Sequence, residues 1–109
     1  TTLTATPKEL LEVDIHGWAG NILLVYASVD VDTTAPVTIK LRALDQAHTV
    51  LGSVEQDVAT GAGKIAPGSF WVSSARSSLV RLVAERTRAD GGAFTSVFNM
   101  KLWAVSLTF

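Results

Sequence analysis

Apolar and polar residues alternate along most of this chain, which is the pattern of β-strands that bury one face. Leu11, Val13 and Ile15 alternate with charged and polar residues, and residues 37–43 repeat the pattern with Val, Ile, Leu and Ala as the apolar set. Residues 22–32 form a longer run of the same kind. The sequence therefore predicts a protein built mainly from strands that turn one face inward.

Turn-forming residues divide these runs at intervals of roughly ten residues, a spacing typical of a β-sandwich or barrel. A Gly-rich stretch, residues 59–69, is predicted to be the longest loop, and residues 6–9 are predicted to form one helical turn at most. Other turns are predicted at 16–21, 33–36, 44–48 and 90–92. We predict strands over residues 11–15, 22–32, 37–43, 49–58, 70–74 and 78–86, and one or two more over 93–109.

This order of elements predicts an all-β fold, an antiparallel, jelly-roll-like β-sandwich of about eight strands. We expect a single domain over residues 1–109. Two positions depart from a regular strand pattern. Gly52 inside a strand predicts a bulge or a close approach of another group to the backbone, and strain is expected near Asn99.

Two strands are apolar on both faces, although a sandwich strand needs only one apolar face. Ile22, Leu24 and Tyr26 occupy the second face of one strand, and the last strand is apolar on both sides of Trp103. For Trp71 and Trp103, a core position and a contact position both stay open. The doubly apolar segments predict a seam between subunits, with the interface residues Ile22, Leu24, Tyr26, Leu102, Trp103, Val105, Leu107 and Phe109.

Composition supports an assembly. Apolar residues make up 48% of the chain and charged residues 17%, where a typical soluble domain has about 25% charged residues. A domain this small has a high ratio of surface to volume and should need more polar surface, not less. The surplus of apolar residues therefore predicts burial against other chains, and we expect a homo-oligomer, with a trimer as the favoured state.

Charge and cysteine content exclude several classes of partner. The formal net charge is −1 and there is no cysteine, so disulfides and thiolate zinc sites are ruled out. A cluster of arginines, Arg76, Arg81, Arg86 and Arg88, is interrupted by Glu85 and Asp90. The chain also lacks the positive field that nucleic-acid binding needs. No apolar run approaches the roughly 20 residues of a membrane span, so neither nucleic acid nor membrane insertion is expected.

Two groups of residues are candidates for ligand binding. Trp18 lies in a Gly-rich turn with His16 and Asn21 beside it, and an exposed aromatic ring of this kind is a platform for sugars or for protein contacts. Asp30 and Asp32 lie two apart near the end of a strand, where their oxygens either bind calcium or begin a turn. No other cofactor is expected.

No pair of residues forms a plausible base and nucleophile. The chain has two histidines and no Gly-x-Ser-x-Gly elbow. We therefore expect a protein that is not an enzyme, and the alternative function that stays open is a lectin-like carbohydrate-binding module centred on Trp18.

The order of these segments resembles a known group of folds. Thr4-Ala5-Thr6-Pro7 precedes a strand, the apolar run 21–32 follows a short Gly turn, the alternating strand 37–43 comes next, and an apolar strand closes the chain. This pattern resembles small jelly-roll heads of the TNF/C1q-like type and the β-sandwich modules of phage tail fibres and capsid surfaces.

The resemblance implies an accessory virion protein, either a capsid decoration protein or a fibre head, that is usually a homotrimer. It implies capsid or tail proteins as partners and possible contact with a host-surface glycan. The corresponding location is the virion surface, or otherwise an extracellular or soluble state. No catalytic residues carry over from such modules.

Overall fold

Eight β-strands and no helix make up the described part of the computed structural model, which comprises residues 1–15, 22–73, 79–89 and 93–107. This confirms the predicted all-β class. The strands are β1 (Thr2–Leu3), β2 (Lys8–Asp14), β3 (Ile22–Thr33), β4 (Val37–Leu44), β5 (Val50–Val58), β6 (Gly61–Ser73), β7 (Leu79–Ala89) and β8 (Thr95–Leu107).

The strands form two antiparallel four-stranded sheets that pack face to face. Sheet A has the order β1-β8-β3-β6, and sheet B has the order β2-β7-β4-β5. Leu44 pairs with Val50, Leu24 with Val72 and Leu3 with Thr95, so the strand pairs are nested around the turn at 45–49. A ribbon of nested pairs rolled into two sheets is a jelly roll, as the sequence predicts.

The alternation seen in the sequence fixes which side of each strand is inward. The odd-numbered residues of β3 from Leu23 to Val31 are fully buried, and so are Ile39 and Leu41 of β4 and Leu82 of β7. Burial of one such aliphatic side chain stabilises a fold by about 1.5–3 kcal/mol. Two clusters of buried side chains result, and Trp71 and Leu102 pack against both of them.

Gly52 provides the close approach that the sequence predicts. A Cβ atom at this position would overlap the indole ring of Trp71. The missing side chain therefore lets Trp71 of β6 lie against β5, where sheets A and B meet along one side of the sandwich. Trp71 is thus an inward-facing residue.

The hairpin between β4 and β5 is held by Asp45. Its Oδ1 atom accepts hydrogen bonds from the backbone N–H groups of Ala47 and Thr49, each at 2.8 Å. His48 adopts a left-handed backbone with φ of 64° and is exposed. The predicted turn at 44–48 is therefore confirmed, and it uses an Asp side chain as local hydrogen-bond acceptor.

One local prediction is wrong. Residues 59–69 are not a long loop, because β6 begins at Gly61. β2 begins at Lys8, which is compatible with the predicted limit of one helical turn at most over residues 6–9. β6 is an edge strand, and its register against β3 shifts between Ala27 and Val29, where Pro67 and Gly68 lie opposite the single residue Ser28. Edge strands with bulges accommodate Pro and Gly, which central strands do not.

The last strand, β8, is one continuous element with a bulge at Asn99. The register against β3 shifts between Ser28 and Asp30, and Asn99 adopts a φ of 46°. Its Nδ2 atom donates a hydrogen bond of 3.0 Å to Oδ2 of Asp30. Asn tolerates the left-handed region better than most residues, so the expected strain near Asn99 takes the form of a bulge.

Candidate interaction surface

The outer face of sheet A carries three rows of apolar side chains. Tyr26 of β3 is paired with Trp103 of β8 on one side and with Phe70 of β6 on the other. Leu24 lies between Val105 and Val72 in the same way, and Ile22 pairs with Leu107. We call this set the apolar face: Ile22, Leu24, Tyr26, Phe70, Val72, Trp103, Val105 and Leu107.

Several of these side chains are largely exposed. Phe70 is 68% exposed, Val72 is 67% exposed and Trp103 is 49% exposed. The rings of Tyr26 and Phe70 are tilted by 45°, with their centroids 4.7 Å apart. Scattered exposed apolar residues are ordinary on protein surfaces, but a contiguous patch of this kind marks an interaction site.

The structure brings together six of the eight residues that the sequence predicts for the interface. Leu102 lies on the opposite side of β8 and packs into both core clusters, and Phe109 lies outside the described residues. Phe70 and Val72 complete the face, although the prediction did not include them. The alternation around Trp71 does place Phe70 and Val72 on the same side of their strand. It does not show that this strand, β6, pairs with β3, and only that pairing brings the two residues to the apolar face.

Beyond Tyr26, the residues of β3 on this outer face are polar: Ser28, Asp30 and Asp32. Lys101 is paired with Ser28, while the aromatic Phe98 is paired with Asp30. Asp30 is engaged by Asn99, as described above. Among the described residues, no group of three or more His, Asp or Glu side chains is arranged to hold a metal ion. Calcium binding at Asp30 and Asp32 stays a prediction.

The predicted sugar platform cannot be placed on this surface, because His16, Trp18 and Asn21 all lie outside the described residues. The carbohydrate-binding alternative that depended on them also stays a prediction.

The outer face of sheet B has a different character. Arg42 of β4 forms an ion pair with Glu85 of β7, and Arg81 forms one with Glu9 of β2, each at 3.2 Å. Lys40 lies between Glu55 and Glu85 in register. This is a solvated face with charges of both signs.

Comparisons with known proteins do not assign this chain to a family, so its class is defined by its fold. Models of protein families, curated proteins and solved structures give no match to the chain. The part of the chain that the structure describes contains no helix long and apolar enough to cross a membrane. The fold and its surface define the class: an eight-stranded jelly roll with one partly apolar outer face.

Proposed function

We propose that this protein is a non-enzymatic structural and adhesion protein that works as a homo-oligomer, with a homotrimer as the favoured state. The apolar face of sheet A is the surface through which the copies contact each other. The observation that carries the proposal is the exposure of Phe70, Val72 and Trp103 in one contiguous patch.

A second copy of the chain is the occupant that the surface fits best. None of the eight residues of the apolar face is charged, so three copies can bring these faces together around a common three-fold axis without burying an unpaired ion. A stable contact covers about 800 Å² per partner, which is about one seventh of the 5620 Å² of accessible surface. The apolar face with its rim provides a centre for a contact of this size.

The virion setting is part of the same proposal. Jelly rolls are the fold of many viral capsid and lectin domains, and the strand pattern resembles phage fibre heads and capsid decoration modules. A fold is compatible with many functions, so this likeness supports the setting without defining the partner. Multivalent contact by several copies would then hold the protein on a capsid or tail surface.

The buried carboxylate of Asp45 has a structural use. Among the described residues, Asp45 is the one ionisable side chain that is buried. Its carboxylate accepts two backbone hydrogen bonds in the β4–β5 turn. The non-enzymatic role itself stays part of the proposal.

The native mass in solution tests the assembly. Light scattering on a sizing column is expected to give about three times the 11.6 kDa of one chain. Trp103→Glu should reduce the mass to that of a monomer and leave the far-ultraviolet circular dichroism unchanged, because Trp103 is half exposed in the single chain. A charge at this position would have to be buried in the contact.

Lys101→Glu is the matched control. It changes the charge on the same strand and the same outward side, two residues before Trp103 and beyond the apolar rows. It should leave the mass unchanged. A wild-type protein that is a monomer at all concentrations would contradict the proposal, and so would a Trp103→Glu protein that keeps the wild-type mass.

A further inference from the structure

A cavity of about 500 Å³ lies at the polar end of the outer face of sheet A. Its lining residue Asp32 lies six positions along β3 from Tyr26, which corresponds to about 20 Å in an extended strand. A volume of about 500 Å³ is typical of small-molecule sites. The lining residues come from the end of β3 and the residue after it, the start of β6, and the start of β8 and the residue before it: Asp32, Thr33, Thr34, Gly61, Phe94 and Ser96.

Phe94 gives the cavity a fixed aromatic wall. It is 58% exposed, yet its backbone is held on both sides. The N–H of Thr34 donates to the carbonyl oxygen of Phe94 at 3.0 Å, and the N–H of Phe94 donates to Oγ1 of Thr34 at 2.8 Å. These hydrogen bonds fix the segment that carries the exposed ring.

Polar groups surround this ring. Asp32 and Ser96 are paired across β3 and β8, so their side chains share the outward side and both line the cavity. The hydroxyl of Thr34 donates a long hydrogen bond of 3.5 Å to the carbonyl oxygen of Phe94. A bond of this length is weak, so a ligand acceptor in the cavity can compete for the hydroxyl proton.

The neighbouring hydroxyls are committed to the fold. Oγ1 of Thr33 donates to the carbonyl oxygen of Ala35 at 2.7 Å and lies 3.1 Å from Oγ1 of Thr95. Thr33 and Thr95 are buried and stabilise the end of the sandwich. Besides Thr33 and Gly61, the cavity is lined by the carboxylate-bearing Asp32, the hydroxyl-bearing Thr34 and Ser96, and the aromatic Phe94.

We propose that this cavity is a binding site for a neutral saccharide, seated on Phe94 with its hydroxyls directed to Asp32, Thr34 and Ser96. A sugar ring has an apolar C–H face that packs on an aromatic ring, and its hydroxyls both donate and accept. Asp32 accepts, while Thr34 and Ser96 do both. A cationic ligand would need acceptors alone and would favour Trp or Tyr over Phe.

The site is independent of the proposed assembly. It lies at the opposite end of β3 from Ile22, so copies that contact each other through the apolar face leave it open. In an oligomer, several such sites would act together and give high avidity from weak single sites.

An amide chemical-shift titration of the whole ¹⁵N-labelled protein tests the proposal. The probes are the methyl glycosides of glucose, galactose, mannose and N-acetylglucosamine. At least one is expected to shift the amides of Asp32, Thr34, Phe94 and Ser96. Phe94→Ala should weaken its binding by about tenfold or more, and Asp32→Asn, which preserves shape, should weaken it several-fold.

Val50→Ala is the control. Val50 is an exposed apolar residue of β5 in sheet B, outside both the cavity and the apolar face, and its loss should leave the affinity for the glycoside unchanged. Three results would overturn the proposal: shifts centred on the apolar face, no shift with any glycoside at about 50 mM, or shifts at Phe94 with Nα-acetyl-lysine methylamide but not with the glycosides.

Discussion

The outer faces of the two sheets differ far more than their inner faces do. The strands of sheet B contain twelve of the 19 charged residues of the chain, with four in β2, two in β4, two in β5 and four in β7. The strands of sheet A contain four, with two in β3, one in β6 and one in β8. The low fraction of charged residues in the chain is therefore due mainly to sheet A.

Sheet B shows how a solvated outer face is built in this fold. Its charges alternate in sign across neighbouring strands, as Arg42 beside Glu85 illustrates at 3.2 Å, and Thr38 donates a hydrogen bond of 2.7 Å to Asp57. Opposite charges in register stabilise a sheet modestly, by about 0.2–1 kcal/mol per pair. Such a face also resists association with other chains.

Sheet A shows the contrasting design. Its inner face is as well buried as that of sheet B, with Leu23, Val25 and Val31 fully enclosed. Its outer face exposes aromatic and aliphatic side chains, Phe70, Val72 and Trp103 among them. Since the inner faces already form the core, this apolar face is the basis of the contact between copies proposed above.

The largest expected effect comes from placing a charged side chain at a buried position of β4. Leu41 is fully buried, so Leu41→Asp would enclose an ionised carboxylate in the core. That cost exceeds what a small domain tolerates, given a total stability of about 5–15 kcal/mol. We expect no cooperative thermal transition and a loss of β-sheet circular dichroism. Lys40→Gln, one residue earlier on the solvated side, should fold normally.

A folded, β-rich Leu41→Asp protein would contradict the register of β4. The comparison of the two outer faces would then fail as well, because the same register assigns Lys40 and Arg42 to the solvated side.

The next effect lies where the two sheets meet. Gly52→Ala should lower the free energy of unfolding by about 1–3 kcal/mol, because the new methyl group overlaps the indole of Trp71. Denaturant unfolding measures the loss. In the double variant with Trp71→Leu, the alanine should cost much less than it does alone. An equal cost in both backgrounds would contradict the close approach.

Sequence periodicity predicts the inner faces well, because burial repeats every second residue along one strand. The inward positions of β3 and β4 follow from it directly. It fails for Leu102, since both sides of β8 are apolar and either side fits the pattern. It also fails for the first part of β6, where Gly and Pro suggest a loop although an edge strand with a bulge tolerates them.

Features that depend on strand order are not predictable from local pattern. Phe70 and Val72 join the apolar face because β6 lies beside β3. The cavity at Phe94 exists because Thr34 and Phe94 meet across 60 positions of sequence. A single sequence carries no local signal for either contact. The prediction therefore found part of the apolar face and, of the residues that line the cavity, Asp32 alone, as a candidate calcium ligand.

A smaller effect is expected at the bulge where the outer face of sheet A changes from apolar to polar. Asn99→Ala should destabilise the protein by about 1–2 kcal/mol, because alanine tolerates the φ of 46° poorly and loses the hydrogen bond to Asp30. Asn99→Gly loses the same bond but relieves the backbone, so it should cost less. Thermal unfolding of the two variants separates the cost of the backbone conformation from the cost of the lost hydrogen bond. Equal costs would show that the backbone conformation at Asn99 is not strained.

The smallest expected effect probes the charge pattern of sheet B. Lys40 is paired in register with Glu55 on one side and Glu85 on the other, so Lys40→Glu would create a row of three carboxylates. Like charges in register destabilise by about 0.2–1 kcal/mol per pair, and the two pairs together should give a loss of about 1 kcal/mol. Lys40→Gln removes the attraction without adding repulsion and should cost less than about 0.5 kcal/mol. Added salt should narrow the difference between the two variants, because it screens the repulsion. If the Lys40→Glu and Lys40→Gln variants are equally stable at low salt, the charges on the outer face of sheet B do not interact. The two outer faces would then differ only in that one is apolar and the other is polar.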